Sequence, residues 1–267
     1  ANLRPIVAYD ELSDVTSLKT SAVQNVDLVV VRELNGGIYF GEPRGRELIS
    51  DGIERGINTL IYTTPEIERI ARVAFELART RRGHIHSVDK SNVLETYKLW
   101  RDVVDHIGAD EFPDVPLSHI IVDNCAMQMI RDPKQFDVIL ADNMVGDILS
   151  DLAGAITGSL GMLPSVSLSD YDGNGRRRAL YEPVHGSAPD IAGQGIANPL
   201  GAILCVGLVL EHSFDLPGEA RLLKQAVRKV LAVGIRTPDI QTGNSRAVST
   251  KDMGDEVVRA LTRLSNG

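Results

Sequence analysis

The feature that most constrains this chain is the alternation of short β-branched apolar runs with longer segments of helical period. Residues 26–32 (VDLVVVR) hold the unbroken apolar run 28–31 and read as a strand covered on both faces. A Gly-rich, charge-dotted excursion at 36–58 reads as an extended arm or hairpin. Residues 65–79 then place apolar side chains at Ile67, Ile70, Ala71, Val73, Ala74 and Leu77, with Glu66 and Glu68 in the first turn and Arg79 at the end. That pattern predicts a helix whose dipole is complemented at both ends. The alternation repeats: strand 84–88 and helix 92–107, strand 118–122 and helix 124–131, strand 136–141 and helix 144–155. A polar turn-rich loop (DYDGNGRRR, 170–178), a short strand around Tyr181, a Gly-rich stretch and three helical patterns ending near Leu264 complete the chain. Such alternation predicts an α/β fold. A composition shift at 158–162 places a domain boundary between 1–157 and 158–267.

Composition removes several classes of function. A net charge of −8 argues against a nucleic-acid partner, because phosphate binding needs clustered Lys and Arg. The basic clusters 79–82 and 176–178 are short and read as solvated faces. No apolar run reaches the ~18 residues that a membrane helix needs; the strongest, 203–210, continues into Glu211 and His212. Cys125 and Cys205 lie in apolar stretches, which fits buried thiols in a reducing, cytoplasmic setting rather than a disulfide scaffold.

Four constellations carry possible chemistry. Asp147 and Asp151 are spaced i, i+4, so their carboxylates share one helical face. Like charges there cost a few tenths of a kcal/mol, unless a cation such as Mg²⁺ or Mn²⁺ sits between them. Read alone, the spacing also describes a solvated acidic face. Asp123 follows the strand at 118–122 and is a third oxygen donor at a strand's carboxyl end, where ligands of α/β sheets gather. Lys90 follows the earlier strand at 84–88, again at a carboxyl end, as a candidate general base or an ordinary loop lysine, with Asp89 beside it as a cap or ion-pair partner.

Glu182 opens a Gly-rich loop that runs into the apolar helix 200–210, with Asn198-Pro199 as its start. Glycines permit close backbone approach, and a helix N-terminus offers N–H groups to a pyrophosphate. Asp190 is suited to a ribose hydroxyl pair and would repel a 2′-phosphate. The Rossmann fingerprint is absent, because Asn198 stands where the third glycine of Gly193-Gln194-Gly195-Ile196-Ala197-Asn198 belongs. Arg32 ends an apolar strand, an unusual place for a charge unless it meets an anion. Arg4 has no such context and reads as a solvated terminal arginine, and Tyr39 as a half-buried aromatic.

Taken together these residues resemble a known family. The strings NLRP, VRELNGGIYFGEPRG, VDKSNVLE, VDNCAMQ, FDVILADNMVGDILSDLAGAITGSLGMLPS and EPVHGSAPDIAGQGIANP occur in the order seen in the β-decarboxylating dehydrogenases of isopropylmalate, isocitrate, homoisocitrate and tartrate. FGEPRG and HGSAPDI resemble the isopropylmalate branch. The resemblance implies a two-domain α/β fold with a large mixed sheet flanked by helices, distinct from the Rossmann fold. Residues 1–157 would form the substrate, metal and dimerisation domain with its arm, and 158–267 the C-terminal part of the cofactor domain.

The implied reaction is metal-dependent, NAD-linked oxidative decarboxylation of 3-isopropylmalate in leucine biosynthesis. Tartrate/malate or homoisocitrate oxidation, or a non-catalytic subunit of a heteromeric dehydrogenase, are the alternatives. By resemblance, Arg4 and Arg32 clamp the carboxylates of a 2-hydroxy dicarboxylate, Lys90 takes the hydroxyl proton and Tyr39 protonates the enolate. Asp123, Asp147 and Asp151 would hold Mg²⁺ or Mn²⁺, with Asp123 and Val93 also against the substrate. Asn92, Glu182 and the run Gly186, Ser187, Ala188, Pro189, Asp190, Ile191, Ala192, Gly193, Gln194, Gly195, Ile196, Ala197 and Asn198 would hold NAD. Lys90 and Asp123 would reach the neighbouring subunit's site, implying a homodimer built on the arm and on the helices 92–107 and 144–155. Two departures stand out. Val145 occupies a position usually aromatic or polar, and family members open with roughly 100 further residues, about half a domain, so the cofactor domain is expected to be incomplete here.

Overall fold

The computed structural model describes residues 1–243 and 245–266. In chain order it contains β1 (Asn2–Val7), α1 (Thr20–Val23), β2 (Asp27–Arg32), β3 (Gly45–Ser50), β4 (Ile53–Ile57), α2 (Thr64–Arg79) and β5 (Ile85–Asp89). Next come α3 (Glu95–Glu111), β6 (Leu117–Ile121), α4 (Val122–Arg131), β7 (Val138–Ala141), α5 (Asn143–Leu152) and α6 (Gly154–Thr157). The chain finishes with β8 (Pro164–Leu168), β9 (Ala179–Pro183), α7 (Leu200–His212), α8 (Pro217–Ala232), β10 (Ile235–Arg236), β11 (Arg246–Ala247) and α9 (Thr250–Ser265). This is an α/β fold with strands of mixed direction flanked by helices. Its residues group into two compact units that do not follow the chain in order: 1–2, 29–128 and 136–149 in one, and 3–28, 129–135 and 150–267 in the other.

In the first unit the strands run β6-β5-β7-β2. All are parallel, with Val29 opposite Val138, Ile85 opposite Val138 and Ile85 opposite Leu117. Parallel pairing aligns the carboxyl ends, so the residues after Arg32, Asp89, Ile121 and Ala141 gather at one end of this sheet. The strands β2, β5 and β7 are buried almost throughout, as their unbroken apolar runs require. Helix α2 begins with a capping box, in which the Glu66 carboxylate accepts from the Thr63 N–H at 2.8 Å. Its apolar stripe Ile67, Ile70, Ala71, Ala74, Phe75 and Ala78 is buried. Phe75 stacks on Phe112 with ring centroids 5.0 Å apart, and Gly108 makes room, since a Cβ there would lie 2.9 Å from Phe75. Each aromatic of this kind contributes on the order of 2 kcal/mol by burial. The excursion at 36–58 is partly the expected hairpin: β3 and β4 pair antiparallel, with Leu48, Ile49 and Ile53 exposed.

The second unit has strand order β1-β8-β9, with β8 and β9 antiparallel and Val166 opposite Tyr181. Its core joins Leu200 and Leu204 of α7, Leu223, Val227 and Val230 of α8, Met253 and Val257 of α9, and Tyr9 and Leu12 from the N-terminal stretch. The short parallel pair β10–β11 lies beside α8. Both cysteines are free and buried, Cys125 with its thiol pushed up to about 12 by burial. Among the described residues no helix is long and apolar enough to cross a membrane.

Several elements differ from the sequence reading. Strands β1 and β8 have no counterpart in it. The helix expected from 92 begins at Glu95, because the Asp89 carboxylate accepts from the Ser91 N–H at 2.8 Å and turns residues 90–94 before the helix starts. The helix expected at 144–155 starts at Asn143, stops at Leu152 and resumes as α6, which ends on Gly158 at φ 85°.

Candidate active site

At the end of β2, Arg32 is buried but not alone. Its Nε and Nη2 donate to Asn143 Oδ1 at 3.1 and 2.7 Å, and its Nη1 forms a short ion pair with Asp147. A desolvated guanidinium keeps its charge only when its donors are matched, and here two residues of α5 match them. Gly146 lets the arginine stem cross the helix, since a Cβ there would lie 2.8 Å from Arg32 Cγ.

The other oxygen of Asp147 faces the Tyr39 hydroxyl at 3.5 Å. Burial, followed by the Asp147 charge, raises the Tyr39 phenol above its ordinary value, so it stays protonated and able to donate. The turn that carries Tyr39 is held by close backbone approach. Gly37 has φ 85° and leaves only 2.3 Å between a would-be Cβ and the Tyr62 hydroxyl, while a Cβ at Gly41 would meet the Thr59 carbonyl oxygen at 1.9 Å.

One turn further along α5, Asp151 lies 3.6 Å from Arg4 Nη1, which also donates to Ser150 Oγ at 2.6 Å. Arg4 is therefore a strand residue with its side chain only 11% exposed, and the reading as a solvated terminal arginine is corrected. The sequence context was missing because its partners lie some 146 positions away. The side chains of Asp147 and Asp151 are 36% and 55% exposed. Each is an accessible hard oxygen donor charge-matched by an arginine of its own unit, the kind of ligand that a Mg²⁺- or Mn²⁺-like cation prefers. Among the described residues no three His, Cys, Asp or Glu side chains are gathered as a metal cluster, and Asp123 is not brought to the α5 pair within this chain.

Asp123 instead pairs with Lys90 across the carboxyl ends of β5 and β6, and the lysine's hydrogen bond holds the carboxyl below the usual aspartate range. Behind them Asp89 is fully buried, paired with Arg101 at 2.6 Å and capping Ser91, so it serves as both cap and ion-pair partner. Asn92 and Val93 are exposed on the turn that follows Lys90.

The loop of 182–198 is open on one side and anchored on the other. Residues 185–190 and 192–195 are exposed, and a Cβ at Gly186, Gly193 or Gly195 would meet nothing within 4 Å. Gly193 and Gly195 take φ 76° and 66°, conformations that other residues rarely adopt. Ala188 is also left-handed, at φ 43°, before the short 3-10 turn Pro189–Ile191 that presents Asp190. Asn198 is buried: its amide donates to Asp239 at 3.1 Å and its oxygen accepts from the Leu200 N–H at 3.0 Å, so it fastens the loop to the start of α7. Thr250 of α9 binds the carbonyls of Gly195 and Ala197 at 2.8 and 2.6 Å. The exposed backbone of this loop fits the approach of an extended ligand, with Asn198 contributing as an anchor.

Asn143, Gly146 and Ser150 are not among the site residues expected from the sequence. A signal existed for the first: Asn143, Asp147 and Asp151 stand at i, i+4 and i+8, on one face of one helix.

A parallel sheet whose carboxyl ends gather an arginine, a lysine–aspartate pair and an acidic helix defines an α/β enzyme of the dehydrogenase class once it is set beside known proteins. The isocitrate/isopropylmalate dehydrogenase family matches residues 1–257. The chain belongs to that family. It is 54% identical over 265 residues to a 3-isopropylmalate dehydrogenase of Paramagnetospirillum magneticum, covering 99% of this chain and 72% of the relative. It is 57% identical to 3-isopropylmalate dehydrogenase 1 of Bradyrhizobium diazoefficiens, covering 99% and 70%. The crystal structure of isocitrate dehydrogenase from Methylococcus capsulatus superposes with a TM-score of 0.84 at 37% identity, covering 98% of this chain and 73% of that one.

Proposed function

We propose that the protein oxidises 3-isopropylmalate to 2-oxo-4-methylpentanoate and CO₂, using NAD and Mg²⁺ or Mn²⁺, as a cytoplasmic homodimer in leucine biosynthesis. The observation that carries the chemistry is the grouping of Arg32, Asp147 and Tyr39, a buried cation, a carboxylate and a protonated phenol in direct contact. The relatives named 3-isopropylmalate dehydrogenase support the choice of substrate.

The reaction needs one proton removed and another delivered at a different atom. The chemistry that NAD and a divalent cation would supply when bound is a hydride acceptor for the carbinol carbon and withdrawal of charge from the neighbouring oxygens. Lys90 accepts the hydroxyl proton as the 2-oxo acid forms. The C–C bond to the adjacent carboxylate then breaks, its electron pair passes into an enolate, and Tyr39 donates a proton to the carbon that lost CO₂. Arg32 and Arg4 hold the substrate's carboxylates and fix the bond to be broken. Asp147 and Asp151 hold the cation, with Asp123 as a third donor supplied with Lys90 by the second subunit. Val93 contacts the substrate beside Asn92 and the nicotinamide, and the loop from Glu182 to Asn198 holds the adenosine half. Asp190, exposed on its turn, accepts hydrogen bonds from ribose hydroxyls and repels a 2′-phosphate. In functional terms, 1–157 carries substrate, metal and dimer contacts and 158–267 part of the cofactor site.

The experiment is a panel of kcat/KM values for 3-isopropylmalate, isocitrate, homoisocitrate and tartrate, each with NAD and with NADP. Preference for 3-isopropylmalate by about tenfold or more, the discrimination an alkyl pocket supplies, together with preference for NAD, is expected. A higher value with another acid, or with NADP, refutes the corresponding part of the assignment.

A further inference from the structure

Beneath the groups assigned to the substrate lies an amide that this chemistry does not use. Asn143 opens α5 and is 1% exposed. Its Oδ1 accepts from Arg32 Nε and Nη2, and its Nδ2 donates to the carbonyls of Leu34 at 2.9 Å and Gly36 at 3.1 Å. Its backbone N–H donates to the Tyr62 hydroxyl at 2.9 Å. A primary amide has two donors and an acceptor with two lone pairs, so every capacity of this side chain is used. Its orientation is also forced, because guanidinium can only donate and carbonyl oxygens can only accept.

Asn143 therefore ties two things that the sequence separates. One is the guanidinium at the end of β2; the other is the turn beginning at Gly36 that carries Tyr39. The turn has further hydrogen bonds of its own: the Gly37 N–H donates to Ile61 O at 3.0 Å, and the Phe40 and Gly41 N–H groups donate to Gly37 O at 3.2 and 3.0 Å. Without the amide, Arg32 keeps Asp147 as a partner but loses the group that fixes the plane of its fork, and a buried carbonyl at Gly36 and a part-buried one at Leu34 lose their donor. We infer that Asn143 is a positioning residue that sets Arg32 and Tyr39 in one arrangement, so that substrate binding and proton delivery share a single buried support. The catalytic part of this inference rests on the roles proposed above for Arg32 and Tyr39; the structural part does not.

The test uses Asn143→Ala and Asn143→Asp, the second keeping an acceptor for Arg32 but no donor for the carbonyls. Amide hydrogen exchange at Gly37, Phe40 and Gly41 is expected to quicken about tenfold in both, the effect of losing typical hydrogen bonds. Exchange in β7 should stay unchanged. In kinetics with 3-isopropylmalate, Asn143→Ala should raise KM and lower kcat, whereas Asn143→Asp should lower kcat more than it raises KM. Added to Arg32→Lys, Asn143→Ala should change KM by no more than about threefold, and added to Tyr39→Phe it should change kcat by no more than about threefold, as coupled residues do. Unchanged exchange in either variant overturns the inference. So do fully multiplicative effects in both backgrounds, or failure of both variants to fold, each of which makes the amide a general structural prop. If Arg32→Lys and Tyr39→Phe leave the kinetics untouched, the functional reading falls instead, while the exchange rates still decide whether Asn143 holds the turn.

Discussion

Gly146 lies against the aliphatic stem of Arg32, with room for a hydrogen and for nothing larger: a Cβ at 146 would sit 2.8 Å from Cγ and 2.9 Å from Cβ of the arginine. The helix and the strand end approach this closely because the guanidinium must pass across α5 to reach both Asn143 and Asp147. Gly146→Ala sets two effects against each other. Better helix propensity stabilises by up to about 1 kcal/mol, and overpacking of a buried contact costs about 1–3 kcal/mol. A small net loss in Tm is expected, together with a rise of about tenfold in substrate KM, because the arginine must leave its place by several tenths of an ångström. Thermal melts and initial rates check this; an unchanged KM would show that Arg32 does not bind substrate from this position.

Asp147→Asn and Asp151→Asn keep shape and a hydrogen-bond acceptor for the arginines while removing the charge that a cation needs. Each should weaken Mn²⁺ binding by about tenfold or more, on the scale of changes to groups that tune metal sites, with far-UV circular dichroism unaltered. Calorimetric titration of Mn²⁺ reads the effect directly. Wild-type curves for both variants would make α5 an ordinary solvated acidic face.

His86 bears on stability rather than catalysis. Its ring is buried, 4.8 Å from the Phe136 ring and 4.3 Å from that of His84. Burial, then the neighbouring His84, depresses its pKa to about 4 from the ordinary 6.5. The unfolded chain takes up the proton first as pH falls, so the folded state loses stability between about pH 6.5 and 4, by on the order of 3 kcal/mol at most. His86→Gln should flatten the fall in Tm across that range. An equal slope in the variant would place the acid sensitivity elsewhere.

Much of this fold was legible because its signals are local. The apolar run of β2, the stripe and caps of α2 and the Gly-rich approach to the β3–β4 hairpin each carry their own periodicity. Strands β1 and β8 were not, since NLRPIV and PSVSL mix proline and polar residues into short segments and show no clear period. The acidic pair on α5 was readable from its spacing, and Lys90 and Asp123 from their places after strands. What spacing does not reveal is the company these groups keep. Arg4 meets Ser150, and Arg32 meets Asn143 111 positions away, through tertiary contacts that leave no local trace. The glycines at 37, 41 and 146 look like loop or helix defects until the atoms pressed against them are seen.

Lys90 and Tyr39 are proposed to divide the proton transfers, Lys90 taking the hydroxyl proton as the 2-oxo acid forms and Tyr39 delivering one after CO₂ is lost. Single-turnover mixing with NAD, 3-isopropylmalate and Mn²⁺, following NADH absorbance and quenching for 2-oxo-4-methylpentanoate, tests this division most directly. Wild type should form NADH and the 2-oxo acid in equal amounts. Lys90→Met should show no NADH burst, whereas Tyr39→Phe should retain a burst and release the 2-oxo acid slowly. Identical traces from the two variants, both without a burst or both at full rate, would contradict separate base and acid roles.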